Sequence, residues 1–238
     1  MSVAKGRHNE KHTVSRGMIF RNIILGGQDG VVNVLGIVLG VATATNSTSI
    51  VLLAGLAATF AESISMAAVA YTSTRAEIEH YESERKRELD EMREIPHMER
   101  KEIEDIYRAK GFSGKLLNDI VDKITQNKKV WLETMMHEEL KIEDPEKGMS
   151  PIWQSALVGF SAIIGSFIPV IPYMILSVKD AFSISLIASM AVLFAVGSYK
   201  SHLTSGKWLK GGLEMMIIGG SAALAGYLVG YFFQAPVS

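Results

Sequence analysis

The sequence contains no cysteine and only six prolines among its 238 residues. Without cysteine the chain can form neither disulfide bonds nor thiolate metal sites. Long parts of the chain also lack charge. Residues 151–178 and 181–199 have no charged side chain. Residues 211–238 have only Glu214, and residues 22–61 have only Asp29. This separation of charge excludes an ordinary soluble globular domain.

Most of the charged residues are concentrated in one acidic insert. Residues 75–147 hold 15 of the 24 basic residues and 20 of the 25 acidic ones, a net charge of −5. The net charge of −1 for the whole chain therefore hides a nearly neutral apolar body.

The apolar body predicts five membrane spans. About 20 apolar residues are needed to cross roughly 30 Å of hydrocarbon, and backbone groups in lipid must be paired within a helix. The segments that qualify are 23–45, 50–74, 152–177, 181–200 and 211–233. The predicted fold is an all-α integral membrane protein with a helical-bundle insert between spans 2 and 3.

Basic residues near the ends of spans predict the orientation, because the cytosolic side carries the excess of Lys and Arg. The link at residues 46–49 has none, and the C-terminal tail has none. We therefore expect segment 1–22 and insert 75–148 to be cytosolic, and the C-terminus of segment 149–238 to be non-cytosolic. The basic residues concerned are Lys5, Arg7, Lys11, Arg16 and Arg21 before span 1, and Lys200, Lys207 and Lys210 between spans 4 and 5.

The insert is expected to consist of helices. Segment 23–74 holds spans 1 and 2. No Pro or Gly occurs from Ala57 to Ile95, so one helix should continue from the second span into the insert until Pro96 ends it. Further helices are predicted over residues 97–109, from Ser113 onward, and over residues 131–140.

Two acids are predicted at membrane depth. Asp29 lies in span 1 among glycines, and Glu62 lies in span 2 with Met66 one turn beyond it. No lysine or arginine in the interior of a span can pair with these acids, so a proton or a metal cation must. The competing interpretations are that Glu62 reaches the membrane surface and that Met66 is an ordinary core residue.

The insert carries pairs of carboxylates on single helix faces. Glu88 and Glu91 are spaced i, i+3, as are Glu99 and Glu102. Carboxylates alone suit Mg²⁺ or Ca²⁺, whereas a nearby thioether favours a transition metal. The competing interpretation is a solvated face without any ion. One turn of the last predicted helix of the insert contains four further candidate ligands, Met135, Met136, Glu138 and Glu139.

Several motifs together resemble the vacuolar iron transporter family. They are Gln28-Asp29-Gly30, Ser65-Met66, the two Glu-x-x-Glu pairs, Met-Met-His-Glu-Glu at 135–139, and Pro169-x-x-Pro172-Tyr173. The resemblance extends from Arg21 to Phe233 in matching order. It implies a homodimer of five-helix protomers that exchanges Fe²⁺ for protons and moves the metal out of the cytosol.

The resemblance also implies roles for particular residues. Asp29 and Met66 match the translocation path. This chain departs from the family at Ala70, where many members have Glu, at Glu62, which is often small, and at Met136, where a carboxylate is expected. The residues that match ligands of the family's cytosolic metal-binding domain are Glu88, Glu91, Glu99, Glu102, Met135 and Glu139.

The predicted function is export of Fe²⁺ from the cytosol in exchange for H⁺, with no permanently bound cofactor and no nucleic-acid partner. Mn²⁺ is the rival cargo, and Zn²⁺ or Co²⁺ could also bind. Two rival functions are a di-iron oxidase, suggested by Glu77-x-x-His80 and Glu94-x-x-His97, and a membrane-anchored metal sensor. The short N-terminal segment favours a prokaryotic plasma membrane over a vacuolar-type membrane.

Overall fold

A computed structural model describes residues 10–145, 148–204 and 206–233 of the chain, with side chains from Gly17 onward. The basic residues Lys5 and Arg7, and the side chains of Lys11 and Arg16, lie outside the described residues. Within the described part every regular element is a helix, as predicted. The elements are α1 (Glu10–Thr45), α2 (Thr48–Glu94), α3 (Pro96–Ala109), α4 (Gly114–Thr125), α5 (Lys128–Thr134), π1 (Met135–Glu139), α6 (Pro151–Ile175), α7 (Val178–Thr204) and α8 (Trp208–Phe232).

In the described part of the chain, five helices are long and apolar enough to cross a membrane. They are Gly17–Thr45, Thr48–Glu94, Pro151–Ile175, Val178–Thr204 and Trp208–Phe232. Each contains one predicted span, and the predicted ends agree to within a few residues except where helices α1 and α2 continue beyond the apolar stretch. The described chain divides into two compact units, residues 1–72 with 150–238 and residues 73–149.

In the first unit, α1 packs against α6, α7 and α8. Glycines allow this close approach, as small residues do between membrane helices. A β-carbon on Gly30 would collide with the backbone of Ala162 in α6, and one on Gly40 would lie 2.8 Å from the carbonyl oxygen of Gly226 in α8. These contacts hold α1 at the centre of the unit.

The second unit is a small bundle with its own apolar core. Ile103, Leu117 and Val121 are buried together with Trp131 and Leu132. The helix ends follow the local sequence: Pro96 opens α3, Ser113 precedes α4, and the Asn127 side chain accepts hydrogen bonds from the backbone of residues 129 and 130. The charged insert is therefore folded, and not a linker.

The predicted helix that carries residues 131–140 is present, but it begins at Lys128 and changes type along its length. The α-helix ends at Thr134 and a π-turn covers Met135–Glu139. Within it the Leu140 N–H donates to the Met135 carbonyl, 3.2 Å away and five residues earlier. Such a wider turn changes which side chains share a face, and π-turns occur often at functional sites.

Candidate metal sites

The insert brings glutamates from three elements together. Glu88 and Glu91 come from the last turns of α2, and Glu99 comes from the first turn of α3. One carboxylate oxygen from each of these three residues lies within 4.8 Å of the others. The charges of Glu102 in α3 and Glu139 in π1 also act on this group. We name these five residues the glutamate cluster.

Two members of the glutamate cluster are almost inaccessible to solvent. The exposed fraction is 1% for Glu88 and 2% for Glu99. In each, the Oε2 atom is buried and has no hydrogen-bond partner among the described residues. A buried carboxylate oxygen without a partner is costly. A solvated acidic face does not bury its oxygens in this way, whereas a site for a cation does.

The cluster raises the pKa of its own members. Burial raises the pKa of Glu99 to about 7, and the neighbouring Glu102, Glu88 and Glu91 add to the shift. Loss of solvent contact and the charges of Glu102 and Glu88 raise the pKa of Glu139 to about 7. Burial also raises the pKa of Glu88. Near neutral pH the cluster therefore exchanges protons readily.

Because of these pKa values, the metal-free cluster lowers the stability of the folded insert at high pH. Between the ordinary value of 4.5 and about 7, folded Glu99 and Glu139 bind more protons than the unfolded chain does. Their contribution to stability is thus complete below about pH 4.5 and is lost as the pH rises through about 7. A divalent cation binds only the ionised form, so its affinity increases over the same range.

One arginine already provides positive charge at the cluster. The Arg87 guanidinium lies 2.7 Å from Glu84, 3.3 Å from Glu88 and 3.7 Å from Glu91. Because this side chain is about half exposed, its ion pairs are partly screened by solvent. One guanidinium cannot balance five carboxylates, and it makes no hydrogen bond to the buried Oε2 atoms of Glu88 and Glu99.

Three other predicted ligands lie in different surroundings from one another. Met135 and Met136 are buried in the apolar core of the insert, so their side chains contribute to packing. Glu138 is exposed, and its carboxylate forms an ion pair of 2.5 Å with Lys110. Glu138 and Glu139 are consecutive residues of the π-turn, so their side chains point in different directions.

The predicted membrane acids form a second group, in the other unit. The Glu62 Oε1 atom accepts a hydrogen bond of 2.7 Å from Asn33 Nδ2, and Glu62 Oε2 is buried without a hydrogen-bond partner among the described residues. Asp29 is close enough for its charge to act on Glu62. Met66 lies one turn beyond Glu62 and is partly buried. Two adjacent carboxyl groups can share a proton or hold a cation between them.

Sequence reasoning missed Asn33. Its position offered a signal, because it lies four residues after Asp29 and so on the same face of α1. Its amide donates to Glu62 and fixes one oxygen of that carboxyl group. The second oxygen is then left for a cation or a proton. This contact joins α1 to α2 at the two acids.

The motifs that suggested a di-iron oxidase do not form a site. Glu77 and His80 are exposed on α2. Glu94 is the last residue of α2, whereas His97 belongs to α3, and both side chains are exposed. The second Glu-x-x-His pattern therefore does not place both ligands on one helix face, and a di-iron site requires two such motifs.

Comparison with known proteins finds similarity over nearly the whole chain. A sequence model described as the VIT family matches residues 20–231. Vacuolar iron transporter 1 of Arabidopsis thaliana is 34% identical over 231 residues, which are 95% of this chain and 90% of the relative. Vacuolar iron transporter 1 of Oryza sativa subsp. japonica is 33% identical over 92% of this chain and 87% of its own length. The vacuolar iron transporter of Plasmodium falciparum is 28% identical over 98% of this chain and 88% of its own length.

Proposed function

This chain belongs to the VIT family, and on that basis we propose that it moves ferrous iron out of the cytosol in exchange for protons. The family consists of membrane transporters, so the chain is a transporter and not an enzyme. Iron enters the proposal through the relatives, which are named vacuolar iron transporters. The direction of transport rests on the predicted cytosolic position of the glutamate cluster, and the role of protons rests on the chemistry of the carboxyl groups.

The observation that carries the proposal is the pair of carboxyl groups inside the spans. Asp29 and Glu62 interact, and one Glu62 oxygen has no hydrogen-bond partner among the described residues. A carboxylate at this depth costs a few kcal/mol unless a proton or cation accompanies it. A metal ion that leaves the pair must therefore be replaced by a proton, and this replacement couples the two fluxes.

The glutamate cluster supports the same proposal at the stage of capture. Its five acids attract divalent cations, and pKa values of about 7 for Glu99 and Glu139 make release responsive to protons. We propose that the cluster collects the metal in the cytosol and raises its local concentration for Asp29 and Glu62. The ligands available there are mainly carboxylate oxygens, because Met135 and Met136 are in the apolar core.

The carboxylate character of the cluster gives one reason to consider a second cargo. Carboxylate oxygens suit Mn²⁺ well, whereas softer ligands favour other transition metals. Transport of Mn²⁺ by the same fold is therefore the second candidate function. Zn²⁺ and Co²⁺ also accept carboxylate oxygens, so both belong in the same flux experiment.

Metal flux in proteoliposomes tests the proposal. The purified protein is expected to move Fe²⁺ faster when the compartment receiving the metal is acidic, and to move protons in the opposite direction. Removing the pH gradient should slow the flux several-fold. Metal movement that is the same with and without the gradient, and without counterflow of protons, would contradict exchange. Faster movement of Mn²⁺ than Fe²⁺ under identical conditions would make Mn²⁺ the cargo.

The orientation is part of the proposal. Arg21, Lys200, Lys207 and Lys210 lie at one set of helix ends, which favours a cytosolic N-terminus and insert. A reporter fused after Ser238 is expected on the non-cytosolic side, and one inserted beside Gly114 on the cytosolic side. Both reporters on the same side would contradict five spans.

The names of the relatives favour a vacuolar-type membrane. Native mass spectrometry of the purified protein tests the implied homodimer.

A further inference from the structure

A groove with two cations at its mouth lies between α1 and α7, away from the acidic residues described above. Its volume is about 930 Å³. Its charged lining residues, within the part of the chain that the structure describes, are Arg21 from α1 and Lys200 from α7. The residues that line it are Gly17, Phe20, Arg21, Ile24, Leu25, Gln28, Tyr199, Lys200, Leu203 and Thr204.

The two cations are available to a ligand. Both side chains are exposed, and neither forms an ion pair with any acidic side chain in the described part of the chain. They lie where the apolar stretches of spans 1 and 4 meet charged sequence, which is the depth of the lipid headgroups. Two cations that converge on one groove there attract a negatively charged group.

The groove continues into an apolar cavity. This second cavity, of about 420 Å³, shares Phe20, Ile24, Gln28 and Tyr199 with the groove. Its remaining lining comes from α1, α6 and α7 and is almost entirely aliphatic. At the junction the rings of Phe20 and Tyr199 pack edge to face with centroids 5.4 Å apart. A ligand that occupies both cavities must have a charged end and a long apolar end.

We propose that this composite groove binds an anionic phospholipid. The phosphate contacts Arg21 and Lys200, and one acyl chain follows the helix surface past Phe20 and Tyr199 into the apolar cavity. Basic pockets between membrane helices recognise anionic headgroups through the same chemistry. A soluble phosphate would leave the apolar cavity unused. In a zwitterionic lipid such as phosphatidylcholine, the choline cation would offset the phosphate charge and be repelled by Arg21 and Lys200. The site lies away from Asp29 and Glu62, so it does not depend on the proposed transport function.

Native mass spectrometry of the full chain in a neutral detergent tests the proposal. Phosphatidylglycerol is expected to bind at least about tenfold more tightly than phosphatidylcholine with the same chains, because two cations contribute to its affinity. Glycerol 3-phosphate should bind weakly and fail to compete. Equal affinity for the two lipids would overturn the headgroup assignment, and competition by glycerol 3-phosphate would reduce the site to a soluble-phosphate site.

Variants locate the binding within the groove. The double variant R21Q/K200Q is expected to lose the preference for phosphatidylglycerol, while K207Q, which removes one charge from an exposed lysine outside the groove, retains it. Val192 lines only the apolar cavity, so Val192→Trp should fill that space and weaken both lipids. If K200Q alone and the double variant both bind phosphatidylglycerol as the wild type does, the site is elsewhere. Unchanged lipid affinity in a folded Val192→Trp protein would refute the acyl-chain assignment.

Discussion

Replacing Asp29 by Asn is expected to reduce metal transport by about a hundredfold or more, to the background of protein-free vesicles. Asparagine keeps the size and the hydrogen bonding of the side chain. It removes the charge that attracts a divalent cation and the group that releases a proton. Because Asp29 is partly buried beside Glu62 in the spans, no anion from solvent can replace the lost carboxylate. Uptake of radioactive Fe²⁺ into proteoliposomes measures the effect.

Two controls separate a lost carboxylate from a damaged fold. Asp29→Glu keeps the chemistry and changes only the geometry, so it should retain part of the activity. Asp180→Asn makes the same chemical change at an exposed residue in the first turn of α7 and should transport normally. Metal binding to the glutamate cluster should be unchanged in all three variants. Wild-type flux in a folded Asp29→Asn protein would refute exchange at the membrane carboxyl groups.

The parts of the structure that the sequence predicts are those set by local or one-dimensional rules. Charge-free stretches such as residues 151–178 predict the spans because lipid excludes charge over a fixed length. Pro96 predicts the end of α2 because its ring disfavours helix at the residue before it. Spacing of three residues predicts that Glu88 and Glu91 share a face, which they do.

The parts that the sequence does not predict depend on contacts between distant residues. The partnership of Asn33 with Glu62 joins residues 29 positions apart, and neither residue identity specifies the other. The π-turn at 135–139 depends on how the core of the insert packs around Met135 and Met136. The same turn directs Glu139 towards the cluster and leaves Glu138 to pair with Lys110. The composition Met-Met-His-Glu-Glu indicates a site but cannot assign which members face it.

Loss of two acids from the glutamate cluster is expected to stabilise the metal-free insert and to abolish its response to metal. In the double variant Glu88→Gln, Glu99→Gln, two buried charges are replaced by amides of the same shape. Each amide can donate hydrogen bonds to neighbouring carboxylates such as Glu91 and Glu102. At pH 8, above the pKa of about 7 for Glu99 and Glu139, the repulsion between like charges is greatest, and the double variant relieves it.

Hydrogen exchange of residues 96–140 in the full-length protein measures this effect with and without metal. In the wild type, an ion at 100 times its dissociation constant stabilises the folded insert by about 2.7 kcal/mol, which slows exchange through global opening of the insert about a hundredfold. In the double variant the metal-dependent slowing should disappear. Exchange without metal should be slower than in the wild type at pH 8, and this difference should shrink towards pH 5 because the wild-type acids then become protonated.

A matched control tests whether burial of the acids, and not the number of charges, is responsible. The variant Glu79→Gln, Glu133→Gln removes two carboxylates from exposed i, i+4 ion pairs with Arg75 and Lys129. Such pairs contribute at most about 1 kcal/mol, so the metal-dependent slowing should remain. If metal-free Glu88→Gln, Glu99→Gln exchanges faster than the wild type at pH 8, these acids serve the fold. A hundredfold slowing by Fe²⁺ or Mn²⁺ that persists in that variant would place the ion elsewhere. The expected pattern, with a more stable insert that no longer responds to metal, requires that the buried oxygens are held in place for a cation.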